Sequence, residues 1–224
     1  MTFSIVARTP GAEYFGVAVA SSSPAVAARC AHARAGVGAV ATQNITDPTL
    51  GPTILESLSC GGASQGALDA ALGATPYAAY RQVLVMPAHG APLVHSGVCA
   101  LGIVSSARGT DAAAAGNLLA SNDVPGTMIA AFEAAGGHLG SRLLQALRAG
   151  AERGGEAGPI HSAGVLVVRD LSWPIVDLRV DWTDGDPVSE LVRIWDIYSP
   201  QIDAYVQRAL DPTRAPGFGV PGDP

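Results

Sequence analysis

Strand-like runs occur in this chain in blocks, and helix-like segments fall between the blocks in pairs. That order limits the fold more than any other feature. Residues 2–8 (TFSIVAR) and 15–21 (FGVAVAS) read as strands joined by the turn residues Thr9-Pro10-Gly11-Ala12-Glu13. Residues 37–42 (VGAVAT) read as a third strand. Two helices are expected next. Pro52 stands at the start of one that carries Ile54, Leu55 and Leu58, and Ser64 is read as the cap of another with Leu68, Ala71 and Leu72 on one face. Strands are expected again at 82–86, 92–95 and 101–105, then helices at 125–135 and 139–153. Two more strands, 163–168 and 175–180, precede a long helix from Pro187 to Leu210 that Asp186 caps and Ser199-Pro200 interrupts. Strands that follow strands do not build a parallel β-α-β sheet. Strand blocks separated by helix pairs fit two stacked antiparallel sheets with helices outside, an α+β fold in four α-β-β-α layers. The near-continuous apolar strands fit sheets covered on both faces.

Composition agrees with a large core. Of 224 residues, 48% are hydrophobic and 14% charged, which excludes wholesale disorder. Residues 1–210 read as a single domain and 211–224, rich in Pro and Gly, as an extended terminal arm. A net charge of −6 without a Lys/Arg cluster argues against nucleic acid or an anionic membrane as partner. No apolar run reaches the roughly 18 residues of a membrane span. Residues 2–8 carry Arg8 and do not look like a signal peptide, so the expected location is cytoplasmic. Cys30, Cys60 and Cys99 form no C-x-x-C pair and read as reduced thiols. The histidines, His32, His89, His95, His138 and His161, show no metal-ligand spacing, so neither a metal nor another cofactor is expected. The sequence leaves a homo-oligomer open.

Two motif matches fail on context. Gly62-Ala63-Ser64-Gln65-Gly66 has the G-x-S-x-G spacing of a nucleophile elbow, but a helix precedes it where that motif needs a strand. The glycines read as a helix C-cap. Gly36-x-Gly38-x-x-Ala41 has dinucleotide-fingerprint spacing, but it lies within a strand-like run instead of opening a helix.

Thr2 carries the chemistry. It stands behind Met1 at the start of the first strand, and its small size permits removal of the methionine. The mature residue would hold a hydroxyl and a free α-amine within reach of each other, a nucleophile with its own base. An α-amine titrates at roughly 7.7–8.0, close to the value a general base needs. Neighbouring strand ends would have to supply electrostatic support, an oxyanion hole and a pocket. Ser21-Ser22-Ser23 follows the second strand, Arg34 precedes the third, Gln43-Asn44 follows it, and His161 opens a later one. Asn117 reads as a lone amide in a small-residue loop. Asp177, Arg179 and Asp181 share one strand face, either a site wall or a salt-bridged outer surface.

The blocks 2–8, 16–21 and 33–43, with Gly116-Asn117 and the segment Val176–Asp181, resemble an uncharacterised bacterial family grouped with the N-terminal-nucleophile (Ntn) hydrolases. The likeness covers about residues 2–198. It implies the αββα sandwich and cleavage of amide-type C–N bonds, with Thr2 as nucleophile, and the size of the chain points to a small metabolite as substrate. The carboxylate that proteasome-type members place after the second strand falls near Ser22, where none is present. Their lysine on the third strand has Arg34 as its nearest cation. Together with the strand-end reading, the expected site residues are Thr2 and Arg34 for catalysis and Ser22, Gln43, Asn44, Asn117 and His161 for substrate, with the loop around Asn44 and Asp47 tuning substrate choice. The rival readings are a non-catalytic ligand-binding or regulatory protein on the same fold, and hydrolysis through Ser64 or Cys30.

Overall fold

The computed structural model describes residues 2–220. The removal of Met1 and the last four residues of the expected terminal arm fall outside them. Each of the first two strands is apolar on both faces because each is covered twice. In β1 (Thr2–Arg8), Phe3, Ile5 and Ala7 belong to a core shared with helices, whereas Val6 belongs to a second core between the sheets. Alternation therefore turns Thr2 and Ser4 toward the inter-sheet layer with Val6.

The larger sheet has six antiparallel strands. Its centre is β1, paired with β2 (Phe15–Ser21) on one side and β8 (Ala112–Asn117) on the other. Beyond β2 lie β9 (Ser162–Val168) and β10 (Val176–Val180), and beyond β8 lies β7 (Ser105–Arg108). The smaller sheet runs β3 (Ala31–Arg34), β4 (Gly38–Asn44), β5 (Arg81–Pro87), β6 (Leu93–Ser96). A short helix, α1 (Ala27–Cys30), links β2 to β3. On the outside of the smaller sheet, α2 (Leu50–Ser59) and α3 (Ser64–Gly73) pack Ile54, Leu55 and Leu68 against Val40, Val83 and Val85. On the outside of the larger sheet, α4 (Val124–Ala134), α5 (Leu139–Glu152) and α6 (Pro187–Tyr198) cover Phe3, Ile5 and Val165 with Met128, Leu143 and Leu191. The order is helices, sheet, sheet, helices, the four-layer α+β sandwich that the block pattern implies.

Several local expectations change. Ser64 does not cap α3: Ala63 holds the N-cap position and no side chain bonds the first turn. Gly61, at φ +82°, does end α2, with its N–H donating to Leu58 O and that of Gly62 to Ser57 O. The strand expected at 101–105 starts at Ser105, and β8 occupies a stretch expected to be loop. The long C-terminal helix is two, α6 and α7 (Ile202–Leu210), with a 3₁₀ turn at Ser199–Gln201 between them. Asp186 caps α6 by accepting from Val188 N at 2.9 Å and Ser189 N at 3.1 Å. Asp186→Ala is expected to lower the unfolding free energy by about 1 kcal/mol, read from the urea midpoint.

The two ends of the sandwich differ. At one, the part-buried Arg8 ties the sheets together. It bonds Asp111 at 2.8 Å and donates to Pro87 O and Ala88 O at 2.7 and 3.0 Å. At the other end the apolar inter-sheet packing gives way to polar side chains.

Candidate active site

The polar end is built from strand register. Asn117 lies opposite Thr2, and Ser162 opposite Ser21, while the β1–β2 pairing carries Phe3 opposite Ala20. The result is a row across four adjacent strands, Ser162, Ser21, Thr2 and Asn117, all on the inter-sheet face. All four are buried, Thr2 with 5% of its surface exposed and the others with none. Thr2 Oγ1 is 3.4 Å from Ser21 Oγ. Ser21 Oγ accepts the Ser23 N–H at 3.1 Å, and Ser162 Oγ donates to Ser23 O at 2.6 Å.

The smaller sheet answers with two buried amides, Gln43 and Gln82. Backbone carbonyls fix which way each amide faces, because a carbonyl only accepts. Gln43 Nε2 donates to Ala115 O at 3.2 Å and to Gln82 Oε1 at 2.7 Å. Gln43 Oε1 therefore faces Ser4, whose Oγ donates to it at 2.7 Å. Gln82 Nε2 donates to Gly116 O at 3.1 Å and Ser96 Oγ at 3.0 Å. Gln82 Oε1 is then an acceptor, and Asn117 must present its Nδ2 to it, at 3.2 Å. Asn117 Oδ1 is left buried with no hydrogen-bond partner among the described residues.

A carboxylate does reach this end, from a segment far away in sequence. Glu156 is 3% exposed and accepts the Ser22 N–H at both oxygens, at 3.1 and 3.2 Å. It sits in the turn after α5, where Gly154 and Gly155 adopt φ +113° and +53°. Glu156 bridges to Leu119, and Ala120 N–H donates to Gly155 O while Ala157 N–H donates to Leu118 O. The segment just past Asn117 thus holds the turn that delivers Glu156. Burial pushes its carboxyl up to about 7; the amino-terminal charge, the bonds from Ser22 and the nearby His161 pull the other way. The folded protein then binds this proton more tightly than the unfolded chain, whose carboxyl has its ordinary value of 4.5. The stability is fully present below pH 4.5 and is lost as pH rises through about 7. Glu156→Gln should flatten the fall in urea midpoint between pH 5 and pH 8; an unchanged fall would remove Glu156 as its source.

The structure brings Thr2, Ser22, Gln43 and Asn117 to this end. His161 lies beside it: its N–H donates to Ser21 O at 2.9 Å and its Nδ1 bonds Thr183 O at 2.8 Å. Its ring stacks on Trp182 with centroids 4.3 Å apart. Asn44, at φ +71°, clamps the rim by donating to Tyr80 O at 2.6 Å and accepting from Leu101 N at 3.2 Å. Arg34 is not brought in. It pairs with Gly38 at the far end of β4, roughly 17 Å of strand from Gln43. Half-exposed there, it bonds Glu56 at 2.6 Å and Ser59 at 3.1 Å. The reason is register: Arg34 ends β3 at the turn into β4, whereas the site lies where β4 ends. The Asp177–Arg179 pair, 2.7 Å apart on β10, is an exposed ion pair.

The other candidate nucleophiles fare differently. Ser64 opens a helix on the outer side of the smaller sheet, away from the polar row. Cys30 is buried on α1, and burial raises its thiol pKa, which lowers its thiolate fraction. Among the described residues no cluster of His, Cys, Asp or Glu could hold a metal, and no helix is long and apolar enough to cross a membrane.

The layers place the protein in the class of four-layer αββα sandwiches, with a buried threonine at the head of a central strand. Residues 2–191 match a family of unknown function, DUF1028, and the chain belongs to that family. A member of it from Silicibacter pomeroyi, SPO2555, has a crystal structure that superposes with a TM-score of 0.81 at 28% identity, over 88% of this chain and 89% of that one. Looser overlaps occur with Thiobacillus denitrificans BPH in complex with epoxomicin (17% identity, 75% and 99% covered, TM-score 0.37). They occur also with Anbu, an ancestral β-subunit, from Yersinia bercovieri (12%, 91% and 97%, 0.38). No curated protein matches the chain.

Proposed function

We propose that this protein is an Ntn-type hydrolase that cleaves an amide-type C–N bond of a small molecule through Thr2, once Met1 has been removed. The observation that supports it best is the setting of Thr2: first in the central strand, turned inward, with a polar row on its sheet and amides facing it. Thr2 Oγ1 attacks the carbonyl carbon while the α-amine takes the hydroxyl proton. The C–N bond then breaks, the leaving nitrogen receives that proton, and an ester on Thr2 remains. Water, deprotonated by the same amine, releases the acid and restores the hydroxyl. Ser21 borders the nucleophile, and Glu156 holds the Ser22 backbone beside it.

The second reading, a ligand-binding protein without turnover, draws on the position of Arg34. Without it, none of the polar side chains identified in the inter-sheet cluster is a lysine or arginine, so the α-amine would need its activation from elsewhere. Intact mass and a β-lactone probe separate the two readings. Hydrolase chemistry requires loss of Met1 and a single adduct that peptide mapping places on Thr2. A retained Met1, or an adduct elsewhere, overturns it.

A further inference from the structure

The geometry points to Asn117 as the residue that orients the α-amine of mature Thr2, through the side-chain oxygen that no other group among the described residues uses. This rests on the Thr2 reading above. The hydrogen-bond directions leave no choice about which Asn117 atom is unused: Ala115 O and Gly116 O commit Gln43 and Gln82 as donors, and Gln82 Oε1 then takes Nδ2 of Asn117. Oδ1 is buried and unpartnered, and the whole residue is fully covered. A buried acceptor without a donor costs free energy of the order of a lost hydrogen bond, so a site that keeps one has a donor to come.

Asn117 is fully covered, so a donor that arises within the site is placed to meet Oδ1 without displacing its cover. The donor that can arise inside is the one that processing creates. Cleavage of Met1 turns the Thr2 amide nitrogen, which has one N–H, into an amine with two or three. Thr2 is the cross-strand partner of Asn117 on the same face, a placement with Cβ atoms about 5 Å apart. An N–H held by Oδ1 fixes the rotation of the amine and so the direction of its lone pair relative to Oγ1. Asn117 is thereby a positioning residue.

Titratable groups also stand near this end. Glu156, from the turn before β9, and Cys30, on α1, both feel the amino-terminal charge of the chain before Met1 is removed, and His161 acts on Glu156. The facing strands contribute the amides Gln43 and Gln82, which do not titrate.

The test is a ¹³C NMR titration of the Thr2 Cα signal in mature protein labelled with ¹³Cα-threonine, assigned by its loss in Thr2→Ser. Asn117→Leu removes the acceptor and should lower the amine pKa. Asn117→Asp keeps an oxygen there and adds charge, and should raise it by about one unit. Opposite shifts are a signature that a packing role does not produce. Either variant decides alone if the other fails to fold. Midpoints equal to wild type overturn the inference, and Oδ1 then serves a buried water. Absence of any titrating threonine means that Met1 is retained, which overturns this inference and the Thr2 reading together. A β-lactone adduct that survives in Thr2→Ala overturns the Thr2 reading alone, because the amine titration is read without turnover.

Discussion

Thr2→Ala is expected to lose acylation by a β-lactone or an activated amide by at least ~10³-fold. The variant still carries a small second residue, so it should lose Met1 as readily as the wild type and keep the α-amine. Only the attacking oxygen is gone, together with its contact to Ser21 Oγ. Thr2→Ser keeps both hydroxyl and amine and should retain most of the activity. The comparison isolates the oxygen from the fold, and matching urea midpoints for the variants complete it. Equal labelling of wild type and Thr2→Ala would move the nucleophile to another residue.

Gln43→Ala should destabilise the protein by about 4 kcal/mol. The change leaves Ser4 Oγ and Ala115 O buried without their partner and takes one donor from Gln82 Oε1. Each buried polar group left unpaired costs about 1–3 kcal/mol, and the space vacated between the sheets adds to that. The measurement is the unfolding free energy from urea titration. A loss below about 1 kcal/mol would mean that water replaces the amide without penalty, and that the network contributes little to holding the sheets together.

Much of the architecture is legible in the sequence because apolar runs in β1, β2 and β9 are long, and the helices of the outer layers carry regular apolar spacing. The central strand β8 is not. Its sequence, Ala112–Asn117, is four alanines, a glycine and an asparagine, residues with little strand preference of their own. It is a strand because it is wedged between β1 and β7, where small side chains allow close approach from both layers. That gap also hid the setting of Asn117, which reads as a loop residue until its strand is known. Glu156 was missed for another reason. It lies 134 residues from Ser22, in a glycine turn with no periodicity, and the pairing of Leu119 with Glu156, with the flanking bonds of Ala120 and Ala157, carries it to the site. A lone acid in a glycine-rich connection just before a strand is the faint signal that was present. Arg34 shows the converse error, since nearness in sequence to a strand does not say which end of the strand it occupies.

The fixed amide directions have a consequence for proton movement. Carboxamides donate and accept hydrogen bonds but neither gain nor lose protons near neutral pH, so Gln43, Gln82 and Asn117 form an insulating wall along one side of Thr2. Ser4 leads only into that wall. If Thr2 reacts as proposed, protons released or consumed there would travel through the opposite side, where Ser21, Glu156 and His161 stand. The proposed nucleophile would then have one flank open to proton movement and one closed to it.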